Sequence, residues 1–394
     1  MNTKIVTAIA SGSADEASEQ LIARIREGLG GATPAMLIAF ASTQQPLQAV
    51  LGRLHREYPR SVVTGASSSG EFTEQGDRKG SVALFALAGD FKVFAGMSTG
   101  LRQDVEKAVQ RAVIELPGTL PGYRYRTAIL LLDPLSGNGE EATLITSSLL
   151  GERVRLAGGA AGDDLKMQAT EVGLDDRVAS DALVVAVIFS NAPLGVGVCH
   201  GHVPLSDPLK VTRAEAATVY EIEGRPAWDV WAEKTRASAA KRGVDPDTLA
   251  DAEMGAYLLR YEAGLETGAG DYKIRAPLSR GQAGELSFAC GIPQGSVIRI
   301  TESEPQRQID SARTAARRAL DQTGGLPVAG ALVFDCICRN LILENQFKTA
   351  VSAISDELGG VPLAGFETYG EIALDAGDMS GFHNTTTVVL TFPT

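Results

Sequence analysis

The sequence predicts an α/β protein of two related domains, built from repeated strand-helix-strand units that form mixed sheets flanked by helices. Three observations predict it. A glycine-carboxylate signature is written twice, as Gly65-Ala66-Ser67-Ser68-Ser69-Gly70-Glu71 and as Gly365-Phe366-Glu367-Thr368-Tyr369-Gly370-Glu371, each directly after an apolar run of strand character. The order strand, polar turn, amphipathic helix, strand, glycine-acid turn, strand recurs a third time in mid-chain, around Gly158-Gly159-Ala160-Ala161-Gly162-Asp163. The chain of 394 residues is 44% hydrophobic and 21% charged, enough for more than one core.

In chain order, Ala35 to Phe40 reads as a strand, Ser42 to Gln45 as a polar turn and Pro46 to Glu57 as an amphipathic helix. Ser61 to Thr64 then opens into the first signature, and Ser81 to Leu87 follows it as a strand. Val93 to Val113 reads as a strand running into a helix at Leu101. The middle unit runs from Ala128 to Leu132, through a turn at Asp133 to Gly139, a helix at Glu140 to Leu150 and a strand at Val154 to Ala157, to the strand Ala182 to Phe189. A boundary is expected near residues 195–210, dividing the chain into domains 1–200 and 201–394.

Beyond it, Lys210 to Arg225 reads as a hairpin, and Pro226 opens a helix whose Trp228 and Trp231 are expected to pack between domains. Lys234 to Arg242 reads as a solvated basic face. Ala256 to Arg260 and Tyr272 to Arg275 read as strands joined by the glycine loop at 264–270, and Arg275 is placed to line a cleft. Ser296 to Leu320 reads as a strand entering a helix, the counterpart of Val93 to Val113. The last unit comprises Gly330 to Phe334, the turn Cys336 to Asn340, a helix at Leu343 to Leu358, Val361 to Ala364, the second signature and Thr386 to Phe392.

A formal charge of −12 repels a phosphate backbone, which argues against nucleic-acid binding. No basic, apolar amino-terminal signal segment is seen, and the apolar run Leu183 to Phe189 is far shorter than the roughly 20 residues a bilayer-spanning helix needs. A cytoplasmic protein without membrane insertion is expected. Cys199, Cys290, Cys336 and Cys338 form no disulfide framework for a chain of this size, so reduced thiols are expected.

The glycines at strand ends are expected to take positive φ or to let the backbone approach a ligand. Strand ends facing a crevice are the usual ligand positions in open α/β sheets. The three polar turns (Ser42-Thr43-Gln44, Asn138, Cys336 to Asn340) and the three glycine-acid turns are therefore expected to wall one pocket.

Gly65 to Glu71, Gly158 to Asp163, Gly197-Val198-Cys199-His200-Gly201, Phe334-Asp335-Cys336-Ile337-Cys338-Arg339, Gly365 to Ile372 and His383-Asn384-Thr385-Thr386 together resemble the FIST family, with its amino-terminal and carboxy-terminal FIST domains. The resemblance covers nearly the whole chain. It implies a cytoplasmic sensory module for small ligands such as amino acids; relatives are often fused to signalling domains in bacteria. Some relatives are described as haem-based nitric oxide sensors, and an F-box relative recruits protein substrates. This chain has no room for a kinase, cyclase or F-box region, so a separate signalling protein is the expected partner.

The expected ligand-binding residues are Ser69, Glu71, Asn138, Asp163, Cys336, Arg339, Tyr369, Gly370, Glu371 and Asn384. Alternation along an extended Asp335-to-Arg339 segment would send Cys336 and Cys338 to one face and Arg339 to the other. Arg339 would lower the Cys336 thiol and clamp a ligand carboxylate while Glu371 takes the ammonium; an internal Arg339–Glu371 salt bridge is the competing reading. Cys336 with His383 and Asn384 has the residue types of a thiol hydrolase without its local signatures. No cofactor is required by the sequence. If haem binds, His200 is the preferred axial ligand over the solvated His55. Cys199, His200 and His202 lack a second cluster of zinc spacing, so no metal site is expected.

Overall fold

The computed structural model describes residues 2–267, 272–374 and 381–394. The first unit comprises β1 (Lys4–Ala10), α1 (Ala14–Leu29), β2 (Met36–Ser42), α2 (Leu47–Glu57), β3 (Val62–Ser68), the short hairpin β4 (Glu71–Thr73) and β5 (Gly76–Arg78), and β6 (Val82–Ala88). Ser13 opens α1 by a reciprocal exchange with Glu16, and Gly30, at φ 59°, closes it in the left-handed region. The second unit repeats the order: β7 (Lys92–Thr99), α3 (Val105–Val113), β8 (Tyr125–Leu132), α4 (Gly139–Leu150), β9 (Arg155–Ala160), hairpin β10 (Val172–Leu174) and β11 (Arg177–Ala179), β12 (Ala182–Ser190).

The third unit begins with β13 (Gly195–His200) and is then interrupted by an insertion. The insertion contains β14 (His202–Pro204), β15 (Leu209–Glu215), β16 (Thr218–Ile222), β17 (Arg225–Pro226), α5 (Ala227–Ala240), α6 (Asp251–Arg260), β18 (Tyr261–Glu266), β19 (Tyr272–Arg275), β20 (Pro277–Arg280), β21 (Leu286–Phe288) and β22 (Val297–Ser303). The unit resumes with α7 (Pro305–Asp321), β23 (Val328–Cys336), α8 (Ile337–Leu343), α9 (Phe347–Glu357), β24 (Leu363–Thr368), hairpin β25 (Glu371–Leu374) and β26 (Phe382–His383), and β27 (Thr386–Pro393).

The three units share one strand order, β1-β6-β2-β3, β7-β12-β8-β9 and β13-β27-β23-β24, with the last two strands of each set parallel. Each sheet is completed by a hairpin from another unit: β10-β11 joins β3, β25-β26 joins β9, and β4-β5 joins β24. The exchange is cyclic, so the units interlock in a ring. Mixed sheets flanked by helices are thus what the sequence predicted.

Alternate residues of the central strands serve two cores, as expected for strands covered on both faces. Met36, Ile38, Phe40, Ile129, Leu131, Leu332 and Phe334 meet in one cluster shared by all three units. Phe40 and Phe366 stack there at 4.2 Å, a contact worth about 0.5–1.5 kcal/mol beyond the area buried. The intervening residues, such as Leu37 and Ala39, Leu130 and Leu132, or Ala331 and Val333, pack against each unit's own helices. The insertion has a separate core, and Trp228 and Trp231 lie within it instead of between domains.

Three further expectations are corrected. Ala256 to Arg260 belongs to helix α6, where Glu253 reaches back to the Ala250 amide, and the strand begins only at Tyr261. The counterpart of β7 is β13 and not the segment from Ser296: β13 pairs with the last strand of its unit and packs on α7, while β22 belongs to the insertion sheet. Strand alternation stops at Cys336, because Ile337 starts α8. Of the expected loop at 264–270, residues 268–271 lie outside the described residues.

Candidate functional site

A short hairpin that leaves its own unit needs an anchor at the crossing, and the two signature glutamates supply it. Glu71 and Glu371, both 0% exposed, head β4 and β25. Glu71 Oε2 accepts from Ser81 N (3.1 Å) and Ser81 Oγ (2.7 Å), and Oε1 accepts from Ser68 Oγ. Glu371 Oε2 accepts from Thr386 N (3.0 Å) and Oγ1 (2.9 Å), and Oε1 from Thr368 Oγ1 (2.5 Å). Each acid pins the departing hairpin to the head of its own unit's last strand. Burial pushes the Glu71 carboxyl up to about 7 and that of Glu371 up to about 8, the hydroxyl donors offsetting part of the effect.

In the second unit the equivalent position is Val172, by its register opposite the residue after Gly65. Asp133 anchors instead, accepting from Asp181 N (2.6 Å), Leu135 N (2.9 Å) and the Thr170 hydroxyl. Asp163 accepts from the Met167, Gln168 and Ala169 amides (2.7–3.0 Å) and from Tyr369 Oη (2.5 Å). Burial acts to raise its carboxyl, but the Tyr369 and amide donors outweigh it and hold it below the usual range. Asp164 takes Ser42 Oγ and Thr43 N at 3.0 Å each, and Asn340 donates to Glu367.

The turns therefore close on one another, not on a crevice. Gly70 and Gly370 do not take positive φ; a Cβ on Gly70 would meet the Glu367 carboxylate at 2.5–2.7 Å, and one on Gly370 the Phe382 ring at 2.4 Å. The close approach that requires these glycines comes from the protein itself. Ser69 is buried beside Tyr369, and Asn138 precedes α4 with its amide donating to Leu101 O (2.8 Å).

Arg339 is also consumed internally. Four residues on from Asp335, across the junction of β23 and α8, its Nε donates to Asp335 Oδ1 (2.8 Å), Nη1 to Gln308 Oε1 and Ser311 Oγ (2.8 Å), and Nη2 to Gln308 O (2.9 Å). Four of the five guanidinium N–H groups are used in a fully buried setting. The expected Arg339–Glu371 clamp is corrected to an Arg339–Asp335 ion pair.

A different arrangement occurs where the insertion meets the second and third units. Glu262 on β18 is 0% exposed; its Oε1 accepts from Thr385 Oγ1 (2.9 Å), while Oε2 has no hydrogen bond and lies 3.5 Å from His202 Nε2. Thr301 spends its proton on Glu262 O (2.8 Å), so His202 Nδ1, 3.2 Å away, carries the ring proton and Nε2 offers a lone pair. Burial, with Cys338 beside it, pushes the Glu262 carboxyl well above its usual range, and burial, with His200 and Arg339, pushes His202 well below. Burial thus disfavours the charged form of both groups.

Close by, Arg275 is 1% exposed, with Nη2 2.6 Å from Glu140 Oε1, Nη1 donating to Ile274 O and Phe382 O, and Nε without a partner among the described residues. Lys273 Nζ stands 3.5 Å from the same Glu140 oxygen. Asn384 Oδ1 accepts from Ala276 N (3.4 Å) and its side chain reaches Cys290. Cys336 sits between Cys338 and Glu371. Of the expected residues, Cys336, Glu371 and Asn384 reach this seam, joined by Glu262, His202, Arg275 and Glu140. Arg275 was placed at a cleft from the sequence, whereas Glu262, between Arg260 and Glu266, carries no local signal that sets it apart.

The seam does not activate a nucleophile. Burial and then Cys338 push the Cys336 thiol well above its ordinary value, the reverse of the expected Arg339 effect. His383 Nε2 donates to Ala373 O (3.1 Å), and burial followed by Lys273 takes its ring down to about 3. For haem, His200 Nδ1 accepts the His202 amide (3.2 Å), and five cavities of about 320–470 Å³ among the described residues have no histidine in their walls. Among the described residues, no three His, Cys, Asp or Glu side chains are placed to hold a metal ion, and no helix is long and apolar enough to cross a membrane.

The FIST N domain model matches residues 35–225 and the FIST C domain model residues 227–374. An uncharacterised protein of Mycobacterium tuberculosis is 26% identical over 378 residues, covering 92% of both chains. An uncharacterised protein of Mycobacterium bovis is 28% identical over 183 residues, 46% of each chain, and one of Methanocaldococcus jannaschii is 24% identical over 198 residues, 50% of this chain and 38% of that one. Among solved structures, a cyanuric acid hydrolase from A. caulinodans aligns over 99% of both chains with a TM-score of 0.35 and 9% identity, too low a likeness to carry an argument.

Proposed function

Since the chain belongs to the FIST family, with its FIST N and FIST C domains in tandem, we propose that it is a sensory protein that binds a small polar metabolite of the amino acid class at the seam and signals through a separate cytoplasmic partner. FIST domains are generally regarded as sensory domains. The observation that carries the reading is a set of buried polar atoms without hydrogen bonds: Glu262 Oε2 and His202 Nε2, 3.5 Å apart, and Arg275 Nε on β19, the strand paired with β18. Buried polar groups are nearly always hydrogen-bonded, so a cluster that is not calls for water or a ligand. Arg275, backed by Lys273, suits the ligand carboxylate; Glu262 suits the ammonium, whose charge would favour the ionised carboxylate.

The seam joins the insertion to the ring, and β13 ends at His200 just before β14 begins at His202. A ligand that binds one placement of the insertion better than another shifts the population toward it, which is the signal the partner reads. The thiol-enzyme and haem readings have no comparable support.

A thermal-shift screen of the common amino acids, with matching amines and carboxylates, tests the proposal. At least one amino acid is expected to stabilise saturably, by about 2.7 kcal/mol at a hundred times Kd. Its amine-only and carboxylate-only analogues are expected to be at least about tenfold weaker, and Arg275→Gln to abolish the shift. Absence of stabilisation by every amino acid, or an undiminished shift in Arg275→Gln, refutes it.

A further inference from the structure

The strand starts of the second sheet carry arginines that the other two sheets lack at the same register. Aligning the units on Gly65, Gly158 and Gly365 by strand register places Arg155 where the other units have Val62 and Pro362, and Arg126 where they have Ala35 and Ala329. The same strand starts are thus built twice without an arginine. In the second unit Arg126 and Arg155 join Arg124 and Arg153 around a cavity of about 460 Å³, with Tyr125 and Phe189 in its wall. That volume lies within the range of about 300–1,000 Å³ usual for small-molecule sites.

Four arginines line this cavity in a chain of net charge −12. Arg126 is half-buried and spends one of its five N–H groups on Leu150 O (2.7 Å). Burial holds its guanidinium below the usual range, the direction expected of a cation taken from water without a counter-charge. Arg155 Nη1 donates to Leu194 O (2.8 Å) and Gln322 O (3.3 Å), which fixes its side chain at the wall. Among the described residues, no carboxylate pairs with Arg124, Arg126 or Arg153. Guanidinium forks match phosphate oxygens two at a time, and the apolar and aromatic wall suits a small organic body beside the phosphate.

We propose that this cavity is a second ligand site, separate from the seam, for a phosphate-bearing metabolite. Pyrophosphate is the probe, titrated at constant ionic strength against the wild type, the double variant Arg124→Gln/Arg153→Gln and Arg126→Gln, with citrate as the carboxylate comparison. Saturable stabilisation of the wild type is expected, at least about tenfold tighter for pyrophosphate than for citrate. The double variant, which alters exposed side chains only, is expected to keep its unliganded Tm and lose at least about tenfold in affinity, and Arg126→Gln to do likewise. Arg275→Gln is expected to bind pyrophosphate as the wild type does. An unsaturable response, citrate binding as tightly as pyrophosphate, or equal affinity in the variants overturns the proposal.

Discussion

Glu371 and Glu262 are both buried carboxyls held above their ordinary range, yet the protein treats them differently. Every oxygen of Glu371 is engaged by Thr368 or Thr386, and Glu71 repeats the pattern with Ser68 and Ser81. Glu262 has one oxygen engaged and one facing a histidine nitrogen that is equally unpartnered. A position that recurs in a repeat answers a need that recurs, here the anchoring of a departing hairpin. A charge that occurs once, in the insertion, is free of that duty.

The contrast is broken most directly at the two buried arginines. Arg339→Ala strips Asp335 of its partner in a closed interior and is expected to cost about 3–5 kcal/mol in urea unfolding. Arg275→Gln, whose partner Glu140 keeps about a third of its side chain in water, is expected to cost under about 2 kcal/mol. Equal costs would erase the distinction between locked and unlocked regions.

Substituting the anchors sharpens the contrast. Glu71→Ala and Glu371→Ala leave the buried amides of Ser81 and Thr386 without acceptors and are each expected to cost about 1–3 kcal/mol, whereas the Gln variants, which mimic the protonated acid, stay within about 1 kcal/mol of wild type. A large loss in both Gln variants would mean that the anchors work as ions.

The smallest effect is in pH dependence. Both anchors have folded values above the ordinary 4.5, about 7 for Glu71 and about 8 for Glu371. The native state therefore binds more protons than the unfolded state between pH 4.5 and 8. Their contribution is complete below the unfolded value and is lost as pH rises through the folded one. Glu71→Gln is expected to flatten the decline in stability between pH 5 and 7 by up to about 1.4 kcal/mol per pH unit. A rise in wild-type stability attributable to Glu71 over that window contradicts the assignment.

Much of the ring was legible because its signals are local. Apolar periodicity and strand-end glycines mark the strand-helix-strand grammar of all three units. The hairpin exchange was not legible, since three-residue strands such as Glu71–Thr73 choose their partners through tertiary packing. The insertion hid the first strand of the third unit by separating it from α7. Its readable trace is Gly195 and Gly197, whose added Cβ atoms would meet Ala319 O and Ala315 O at 1.9 and 2.0 Å, as one on Gly96 would meet Ala112 O at 2.0 Å. For Arg339, reading Cys336 as the point where the strand turns into a helix is what brings its side chain back toward Asp335. The seam combines residues more than 200 positions apart, Glu140 with Phe382 and Asn384, and no local pattern announces it.

The central claim is that ligand binding resides at the unrepeated seam and architecture at the repeated acids. Calorimetric titration of the amino acid selected by the screen into Glu71→Gln and Arg275→Gln tests it most directly. The account predicts that Glu71→Gln binds within about threefold of wild type and that Arg275→Gln loses at least about thirtyfold. Loss of binding in Glu71→Gln with retention in Arg275→Gln would contradict it.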